Sequence, residues 1–298
     1  MKLRTGSTVL HALFRHLGRL SWPRRHRRAR LLAWLARHFM RSRVHVVRTN
    51  LRLCFPESTA AQREAWLKHH FLLLAQSVID RGLLWFGPEA DIRAGTPITG
   101  LEHLQALLDA RRPVILLAPH MIGLDAAATR LTLFLKESAT MYTPQSHPGI
   151  DALVRRGRGR FNTVHLVSRR EGIRGLLAHL RRGVPVYYLP DMDFGRKGAI
   201  FVPFFGIPAA TLPTTAQIAR RWDAAVVPIL SRLDAQTGQY HIRVLPPLAD
   251  FPGEESLEDA TARLNRKIEA WVREDPPQYY WVHRRFKTQP DISRPKPY

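Results

Sequence analysis

Cysteine is almost absent from this chain, since Cys54 is the only one among 298 residues. A single thiol excludes an intramolecular disulfide framework and a cysteine-based zinc site. Such low cysteine usage is typical of a reducing compartment. We interpret Cys54 as a buried thiol without a catalytic role, because that is the usual state of a lone cysteine.

Acidic residues are missing from the first 56 positions, and the first one along the chain is Glu57. The whole chain carries a formal net charge of +22 at pH 7, most of it from arginine. A cationic arm of this kind suits nucleic acid, anionic lipid headgroups or an acidic protein partner, because all three are attracted by the same long-range field. Charge alone therefore leaves three classes of partner open.

Long apolar runs are also lacking. Two stretches, 7–20 and 31–40, have apolar residues at helical spacing, but both are shorter than the roughly 20 apolar residues that span a bilayer. We expect helices that lie in a membrane interface, with Trp34 and Phe39 as anchors at headgroup level. The alternatives are basic helices packed on their own domain and an organelle transit peptide; no secretory signal is predicted. We divide the chain into a basic amphipathic segment, 1–45, and one domain, 46–298.

The hydrophobic pattern changes near residue 96. Before it, helical periodicity predicts helices at 31–40, 44–53 and 58–85, with Ser58 or Thr59 as the cap of the last. After it, short aliphatic runs alternate with helical stretches. The predicted strands are 113–118, 139–143, 164–167, 184–189, 225–231 and 240–245, and the predicted helices are 102–110, 125–135, 150–160, 170–182, 214–221 and 256–273. The last two strands are expected to form a hairpin. The fold class is α/β, with a mostly parallel or mixed central sheet flanked by helices behind an N-terminal helical segment.

His120 directly follows the predicted strand 113–118, and Asp125 begins the next predicted helix. A histidine held by a carboxylate is a ready general base for a hydroxyl, and the functional crevice of an open α/β sheet lies at the carboxyl ends of its strands. Gly123 lets the loop fold back, so that Asp125 accepts a hydrogen bond from one imidazole nitrogen while the other faces the cleft. The alternative is that Asp125 caps its helix and His120 merely ends a strand.

Asp191 and Asp193 follow the predicted strand 184–189 and are therefore expected at the same edge of the sheet. Two acids on a loop can ligate a hard metal, orient basic side chains or make turns through their own backbone. The next charges along the chain are Arg196 and Lys197, not further oxygen ligands. The sequence therefore does not favour a metal site here.

Arginine alternates with glycine in the run 155–160, and two more arginines occupy positions 169 and 170. Guanidinium groups bind phosphate bidentately, and glycine lets a backbone approach an anion closely. This pattern favours an anion-binding role, with phosphate as the natural ligand, over a solvated helix face.

Two aromatic segments remain. Residues 201–211, punctuated by proline, line a tunnel for an apolar chain or pack in the core. Residues 279–287 interleave aromatic rings with cations, which suits stacking on bases, a membrane interface or closure of the core. The residue types do not choose among these alternatives.

Taken in order, these motifs resemble those of the bacterial late acyltransferases of lipid A biosynthesis. That family lies within the lysophospholipid acyltransferase group, which shares a histidine, four residues and then an aspartate or glutamate. The segments that carry the resemblance are 50–57, 120–125, 156–158, 191–195, 201–206 and 277–287. Mycobacterial mannoside acyltransferases share the architecture, and the motifs alone do not separate them from this family.

The resemblance implies that residues 46–298 form an acyltransferase domain. It would move a fatty acyl chain from acyl carrier protein, an acidic donor, to a hydroxyl of a lipid A precursor, with no metal or organic cofactor. Many members begin with a membrane-spanning helix, whereas this chain has only the shorter amphipathic segment. Peripheral attachment to an anionic membrane surface is therefore expected, on the cytoplasmic face of the bacterial inner membrane.

By the same resemblance, His120 would be the general base and Asp125 would fix its tautomer. The expected contacts to acceptor phosphates or to the developing oxyanion come from three arginines. These are Arg156, Arg158 and Arg169. Asp193, together with Asp191, would position those guanidinium groups.

Three other hypotheses stay open. The protein is an acyltransferase for another glycolipid or phospholipid, a basic nucleic-acid-binding protein, or a metal-dependent hydrolase that uses His120, Asp191 and Asp193. Nucleic acid is not the expected partner, because nucleic-acid binding does not explain a histidine and carboxylate at a strand end. The sequence does not indicate acyl-chain length, the esterified position or the oligomeric state.

Overall fold

The computed structural model describes residues 2–168, 171–293 and 295–298, and for residues 2–7 it describes the backbone alone. The helices are α1 (Lys2–Gly18), α2 (Trp22–Phe39), α3 (Arg41–Cys54), α4 (Ala60–Phe86), α5 (Glu89–Gly95), α6 (Leu101–Asp109), α7 (Leu124–Thr132), α8 (Pro148–Arg158), α9 (Gly172–Leu180), α10 (Thr214–Trp222) and α11 (Leu257–Glu274). The strands are β1 (Ile98–Thr99), β2 (Val114–Leu117), β3 (Glu137–Tyr142), β4 (Thr163–Ser168), β5 (Val186–Tyr188), β6 (Ile200–Phe204), β7 (Ile207–Thr211), β8 (Ala225–Leu233) and β9 (Tyr240–Val244).

Seven strands form one sheet in the order β1-β9-β8-β2-β5-β3-β4. Every neighbouring pair is parallel except β8 and β9, which form the predicted antiparallel hairpin. The predicted α/β class is confirmed, and each predicted strand and helix has a counterpart whose ends mostly differ by a few residues. The exception is the predicted helix 31–40, because α2 begins nine residues earlier, at Trp22. Residue 170, the predicted start of the helix 170–182, lies outside the described residues. Thr59 is the cap of α4, since its Oγ1 accepts a hydrogen bond from the Gln62 N–H at 3.1 Å.

Helices cover both faces of the sheet. Along β2, Val114 and Leu116 pack in the core under α6 and α7, whereas Ile115 and Leu117 pack in the larger core under α4, α9 and α11. All four side chains are buried, which is why β2 is a continuous apolar run rather than an alternating one. The strand is thus the central one of the seven and is buried on both faces.

The hairpin of β6 and β7 was not predicted as strands. Its two strands pair in register, with Pro203 opposite Pro208, outside the main sheet. Proline argues against a strand in a sheet interior but is tolerated where its missing N–H is not needed. Phe204 and Phe205 contact the rings of Phe55, Tyr279 and Trp281. The core-packing alternative for residues 201–211 is therefore correct, and the tunnel alternative is wrong.

The N-terminal helices α1 and α2 pack along α4. Gly18 and Gly82 bring α1 and α4 so close that a Cβ on either would overlap the other backbone. The buried Arg25 donates through Nε to Asp80 Oδ1 at 2.8 Å, and Tyr240 donates to the other oxygen of Asp80 at 3.0 Å. The inner side of residues 1–45 thus joins the core of the rest of the chain.

The outer side of α1 and α2 is apolar as well as basic. Ten large hydrophobic side chains are exposed among the described residues, and seven of them lie between positions 9 and 40: Val9, Leu13, Leu31, Leu32, Trp34, Phe39 and Met40. We call these seven the outer apolar face. Within the described part of the chain, no helix is both long enough and apolar enough to cross a membrane. Membrane association of this segment stays a prediction.

Candidate active site

His120 and Asp191 meet because β2 and β5 are neighbours in register. Leu117 of β2 lies opposite Tyr188 of β5, and each site residue follows three positions later. His120 Nδ1 donates to Asp191 Oδ1 at 2.6 Å, and the His120 backbone N–H donates to Oδ2 at 2.8 Å. Both oxygens of the carboxylate are therefore used by one residue. We call this pair the His120–Asp191 dyad.

Asp125 does not contact His120, so the expected hydrogen bond between them is wrong. Its Oδ2 accepts from Arg81 Nε at 3.0 Å and Nη2 at 2.8 Å, and its Oδ1 accepts from Arg158 Nη2 at 3.2 Å. Nor does Asp125 cap its helix, because α7 begins after Gly123 with no side-chain cap. The catalytic role of Asp125 stays a prediction, but its contacts are with guanidinium groups.

The two carboxylates stay ionised for different reasons. Burial raises the pKa of Asp191, but the charge of His120 and its two hydrogen bonds outweigh burial, so the pKa lies below the usual aspartate value. Burial also raises the pKa of Asp125, and there Arg81 and Arg158 overcome it and lower the pKa to about 2. Each carboxylate is thus matched to its own cationic or hydrogen-bonding partner.

A cavity of about 450 Å³ opens beside the dyad. Near the carboxyl ends of the strands its lining includes His120, Arg81, Arg158 and Tyr142, and we call this end the mouth. The other lining residues are mostly apolar and include Leu116, Ala128, Leu131, Leu135, Ser138 and Val164. Of these, Ser138 and Val164 lie toward the amino ends of β3 and β4. We call this cavity the slot.

The arginine-rich run is tied mainly to the protein itself. Arg155 Nε donates to Asp151 at 2.7 Å, Arg158 binds Asp125, and Arg160 donates to backbone carbonyls of Leu84 and Gly87 at the end of α4. Arg156 is exposed and forms no hydrogen bond or ion pair with any part of the chain that the structure describes. Arg169, the third predicted anion-binding arginine, lies outside the described residues. Of the three predicted anion-binding arginines, Arg156 is therefore free in the described structure and Arg158 is partly occupied by Asp125, and the predicted anion-binding role stays a prediction.

Asp193 fixes a loop rather than an arginine. Its carboxylate is buried and accepts hydrogen bonds from Gly195 N–H at 2.9 Å and from the Thr288 N–H and hydroxyl at 2.8 Å each. Its backbone N–H donates to His283 Nε2 at 3.0 Å. Burial and nearby cations lower the pKa of His283 to about 4, so this imidazole is a neutral acceptor. Neither Asp191 nor Asp193 forms a hydrogen bond with Arg156 or Arg158, so the expectation that the two acids position arginines is wrong for these two, whereas Arg169 lies outside the described residues.

The segment 279–287 closes the core and supports the site. Trp281, Arg285 and Phe286 are almost fully buried. The backbone N–H of Tyr280 donates to the His120 carbonyl at 2.9 Å, and its side chain lines the slot. Among the described residues, no group of three histidine, cysteine, aspartate or glutamate side chains is arranged to hold a metal ion.

Arg81 is the site residue that sequence reasoning missed. It lies near the C-terminal end of α4, 44 positions before Asp125, in a stretch whose helical period gives no sign of a site. Asp191 was found, but with another role. The sequence did contain a signal for the pairing of the two residues. After both β2 and β5 comes an apolar residue, then a proline, then the site residue: Ala118-Pro119-His120 and Leu189-Pro190-Asp191.

Comparison with known proteins identifies the family of this chain. Residues 6–288 match the family model of the bacterial lipid A biosynthesis acyltransferases. The chain is 33% identical over 261 residues to the lipid A biosynthesis lauroyltransferase of Escherichia coli K12, which covers 87% of this chain and 84% of that protein. It is 32% identical over 257 residues to the palmitoleoyltransferase of the same organism, covering 86% and 82%, and 32% identical over 260 residues to a lipid A biosynthesis acyltransferase of Haemophilus influenzae, covering 87% and 80%. The chain belongs to the bacterial lipid A biosynthesis acyltransferase family.

Proposed function

We propose that this protein transfers a fatty acyl chain from acyl carrier protein to a hydroxyl of a lipid A precursor, with His120 as the general base. The observation that carries the proposal is the His120–Asp191 dyad at the mouth of a deep, mostly apolar slot, in a chain of this family. A base beside an apolar slot is what acyl transfer to a hydroxyl requires.

The chemistry follows from the tautomer of His120. Because the Asp191 carboxylate can only accept, Nδ1 carries the proton and Nε2 carries a lone pair. No described residue donates to or accepts from Nε2, and His120 lines the slot. Nε2 takes the proton of the acceptor hydroxyl as its oxygen attacks the thioester carbonyl. The tetrahedral intermediate then collapses, the C–S bond breaks, and the imidazolium returns the proton to the leaving thiolate.

Asp191 supports both halves of this cycle. Its two hydrogen bonds hold the imidazole in one orientation, and its negative charge stabilises the imidazolium formed after proton transfer. No covalent acyl-enzyme is needed, because the base acts directly on the acceptor.

The slot accommodates the acyl chain of the donor. Apolar side chains from α7 and the sheet surround its deeper part, so that burying methylene groups there is favourable by about 0.8 kcal/mol per group. Tyr142 and Ser138 both line it and are four residues apart on β3, which corresponds to a depth of roughly 13 Å. The net charge of +22 suits an acidic carrier protein as the donor.

The lipid acceptor places the reaction at a membrane surface. The outer apolar face and the basic residues around it suit an interface with anionic lipids. Peripheral attachment at the cytoplasmic face of the inner membrane would bring the mouth of the slot to its lipid substrate.

The test uses purified protein, acyl carrier protein with a labelled acyl chain, and a disaccharide lipid A precursor. We expect the wild-type protein to transfer the label and His120→Ala to lower kcat by about 10²- to 10⁴-fold. His45→Ala, at an exposed histidine, is the matched control and should keep full activity. Near-normal transfer by His120→Ala would overturn the mechanism. If the label is transferred only to a lysophospholipid offered in parallel, the proposal that a lipid A precursor is the acceptor is wrong.

A further inference from the structure

A second charged cluster lies in the wall of the slot, and its charges do not balance. Arg81 and Arg158 share the single carboxylate of Asp125. Asp125 is the only acidic side chain among the described residues that line the slot. With the pKa of Asp125 at about 2, the cluster carries a net charge of +1 at neutral pH. A partly buried excess charge is costly unless an anion compensates it.

The guanidinium groups keep unused donors. Arg81 spends Nε and Nη2 on Asp125, and Arg158 spends one Nη2. Arg81 Nη1 and Arg158 Nε and Nη1 form no hydrogen bond with any described residue. The side chains of Arg81 and Arg158 are 37% and 33% exposed, so these donors are open to a ligand. Each guanidinium group can donate two parallel hydrogen bonds to one phosphate. Two such groups held at a fixed separation therefore suit a phosphate group as the ligand.

The position of Arg158 is built into the packing of α8. Gly157 lies against the indole of Trp85, and a Cβ at that position would overlap the ring. Arg160 donates to the carbonyls at the end of α4, which fixes the following turn. The Arg158 guanidinium also lies over the Tyr142 ring, with its central carbon 5.6 Å from the ring centroid. Contacts on both sides of Arg158 in the sequence, at Gly157 and at Arg160, therefore fix its position beside the slot.

We propose that Asp125 is a positioning residue that holds Arg81 and Arg158 as a binding site for a phosphate group of a substrate, and that it does not serve His120. The inference rests on the proposed function, because it places that phosphate next to the acyl-transfer chemistry. Phosphate reaches the slot from two sources, a phosphomonoester of the lipid acceptor or the phosphodiester of the pantetheine arm of the donor.

The kinetic test compares Asp125→Asn and Arg81→Gln with Asp191→Asn. We expect the first two to raise the KM of the phosphate-bearing substrate about tenfold each, with kcat little changed, and the double variant to be no worse than either single one. Asp191→Asn should lower kcat and shift its pH profile, whereas Asp125→Asn should leave that profile unchanged. Arg81→Lys, which keeps the charge but not the fork, should recover part of the loss.

Two arms identify the source of the phosphate. The first compares acceptors with and without their phosphates, and the second compares acyl carrier protein with an acyl-pantetheine that lacks phosphate. In one of the two arms, we expect the wild-type protein to prefer the substrate that carries phosphate and Arg81→Gln to show no preference. That arm identifies the source of the phosphate. If Asp125→Asn lowers kcat and shifts the pH profile as Asp191→Asn does, or if neither arm loses discrimination, the inference is overturned.

A binding measurement separates this inference from the proposed function. Calorimetry with inorganic phosphate requires no acyl transfer, and the wild-type protein should bind it at least tenfold more tightly than Arg81→Gln does. If binding is seen and transfer is not, the proposed function fails and the anion site stands. Equal binding by the wild-type protein and Arg81→Gln would remove the anion site even if transfer is observed. Thermal unfolding of each variant shows that it is folded.

Discussion

At the residue scale, the two hydrogen bonds from His120 to Asp191 fix the orientation of the His120 imidazole. One carboxylate oxygen accepts from the ring and the other from the backbone of the same residue. The side chain of Asp191 is fully buried, and that of His120 is 15% exposed. The dyad is thus pre-organised, and only the Nε2 side of the ring is available to a substrate.

Replacing Asp191 tests this directly. Asp191→Asn keeps the shape but offers an amide N–H to Nδ1, which favours the tautomer with the proton on Nε2 and removes the base. We expect kcat to fall by at least about 10²-fold with the KM of both substrates nearly unchanged. Steady-state kinetics on folded protein gives the answer. A variant with normal kcat would show that the dyad is not the base.

His70 provides a pH-dependent stability outside the site. It is fully buried, its Nδ1–H donates to the Pro277 carbonyl at 3.0 Å, and burial lowers its pKa from 6.5 to about 4. Below pH 6.5 the unfolded chain binds a proton that the folded one does not, so the free energy of unfolding falls as the pH decreases toward 4.

His70→Asn keeps a donor for Pro277 but cannot titrate. Between pH 7 and pH 5 we expect the wild-type protein to lose about 2 kcal/mol of unfolding free energy that this variant retains. Urea unfolding at the two pH values measures the difference. His45→Asn, at an exposed position, should behave like wild type. The same pH dependence in His70→Asn as in wild type would contradict the assignment.

The residues of the site were predictable to different degrees. His120 follows from a buried strand and a polar residue at its end. The partner could not be chosen locally, because Asp125 is five positions away whereas Asp191 is brought in by strand pairing 71 positions away. The role of Arg81 was not predictable, because nothing in the spacing of residues along α4 indicates that this arginine contacts Asp125.

At the scale of elements, α7 and β3 both contribute to the lining of the slot. Ser138 and Tyr142 are the first and last β3 residues that line it, and Leu131 and Leu135 line it beyond Asp125 along the chain. Ser138 is buried, with 7% of its surface exposed. If the acyl chain binds in the slot as proposed, we expect the size of the side chain at position 138 to limit how far it can enter.

Ser138→Leu should shorten the preferred acyl chain. The added methyl groups occupy the deep end of the slot, so long donors lose contacts while short donors bind as before. We expect kcat/KM for the longest accepted donor to drop about tenfold or more, with the value for a donor shorter by four carbons changed less than twofold. A donor series on acyl carrier protein measures this. Equal losses for all lengths would mean that the chain binds elsewhere.

The elements themselves were largely predictable from period and composition. Four elements were not predicted. They are β1, whose two residues are too few to show a period, the short helix α5, and the proline-bearing β6 and β7. Sheet order was not predictable, because nothing in a single strand states that β2 lies between β5 and β8. Strand order decides which loops lie next to each other. The sequence therefore predicted that His120 and Asp191 lie at the same edge of the sheet, but not that they form a hydrogen-bonded pair.

At the scale of the whole molecule, charge and apolar exposure coincide. The outer apolar face lies on α1, α2 and the residue that follows α2, all of which precede the first acidic residue, Glu57. Trp34 and Phe39 are 48% and 78% exposed. Both features favour the same partner, an anionic lipid surface, through burial of rings and long-range attraction.

Vesicle binding tests this pairing of features. We expect the wild-type protein to sediment with vesicles that contain anionic phosphatidylglycerol and far less with neutral phosphatidylcholine, and raising salt from 0.1 to 0.5 M to weaken the binding. Trp34→Ser with Phe39→Ser should weaken it about tenfold or more. Ile292→Ser, which removes an exposed apolar residue at the other end of the chain, is the control. Unchanged binding by the double variant would exclude this face.

The register between β2 and β5 also bears on how the protein acquires activity as it folds. Contacts between residues 71 positions apart are expected to form late, because the segment they close is long. Here that segment contains α7, β3, α8, β4, α9 and β5. A partly folded chain with its helices formed but its central strands unpaired holds His120 without Asp191. Such a chain lacks an oriented base, so recovery of acyl transfer during refolding reports the completion of the sheet rather than the formation of helices.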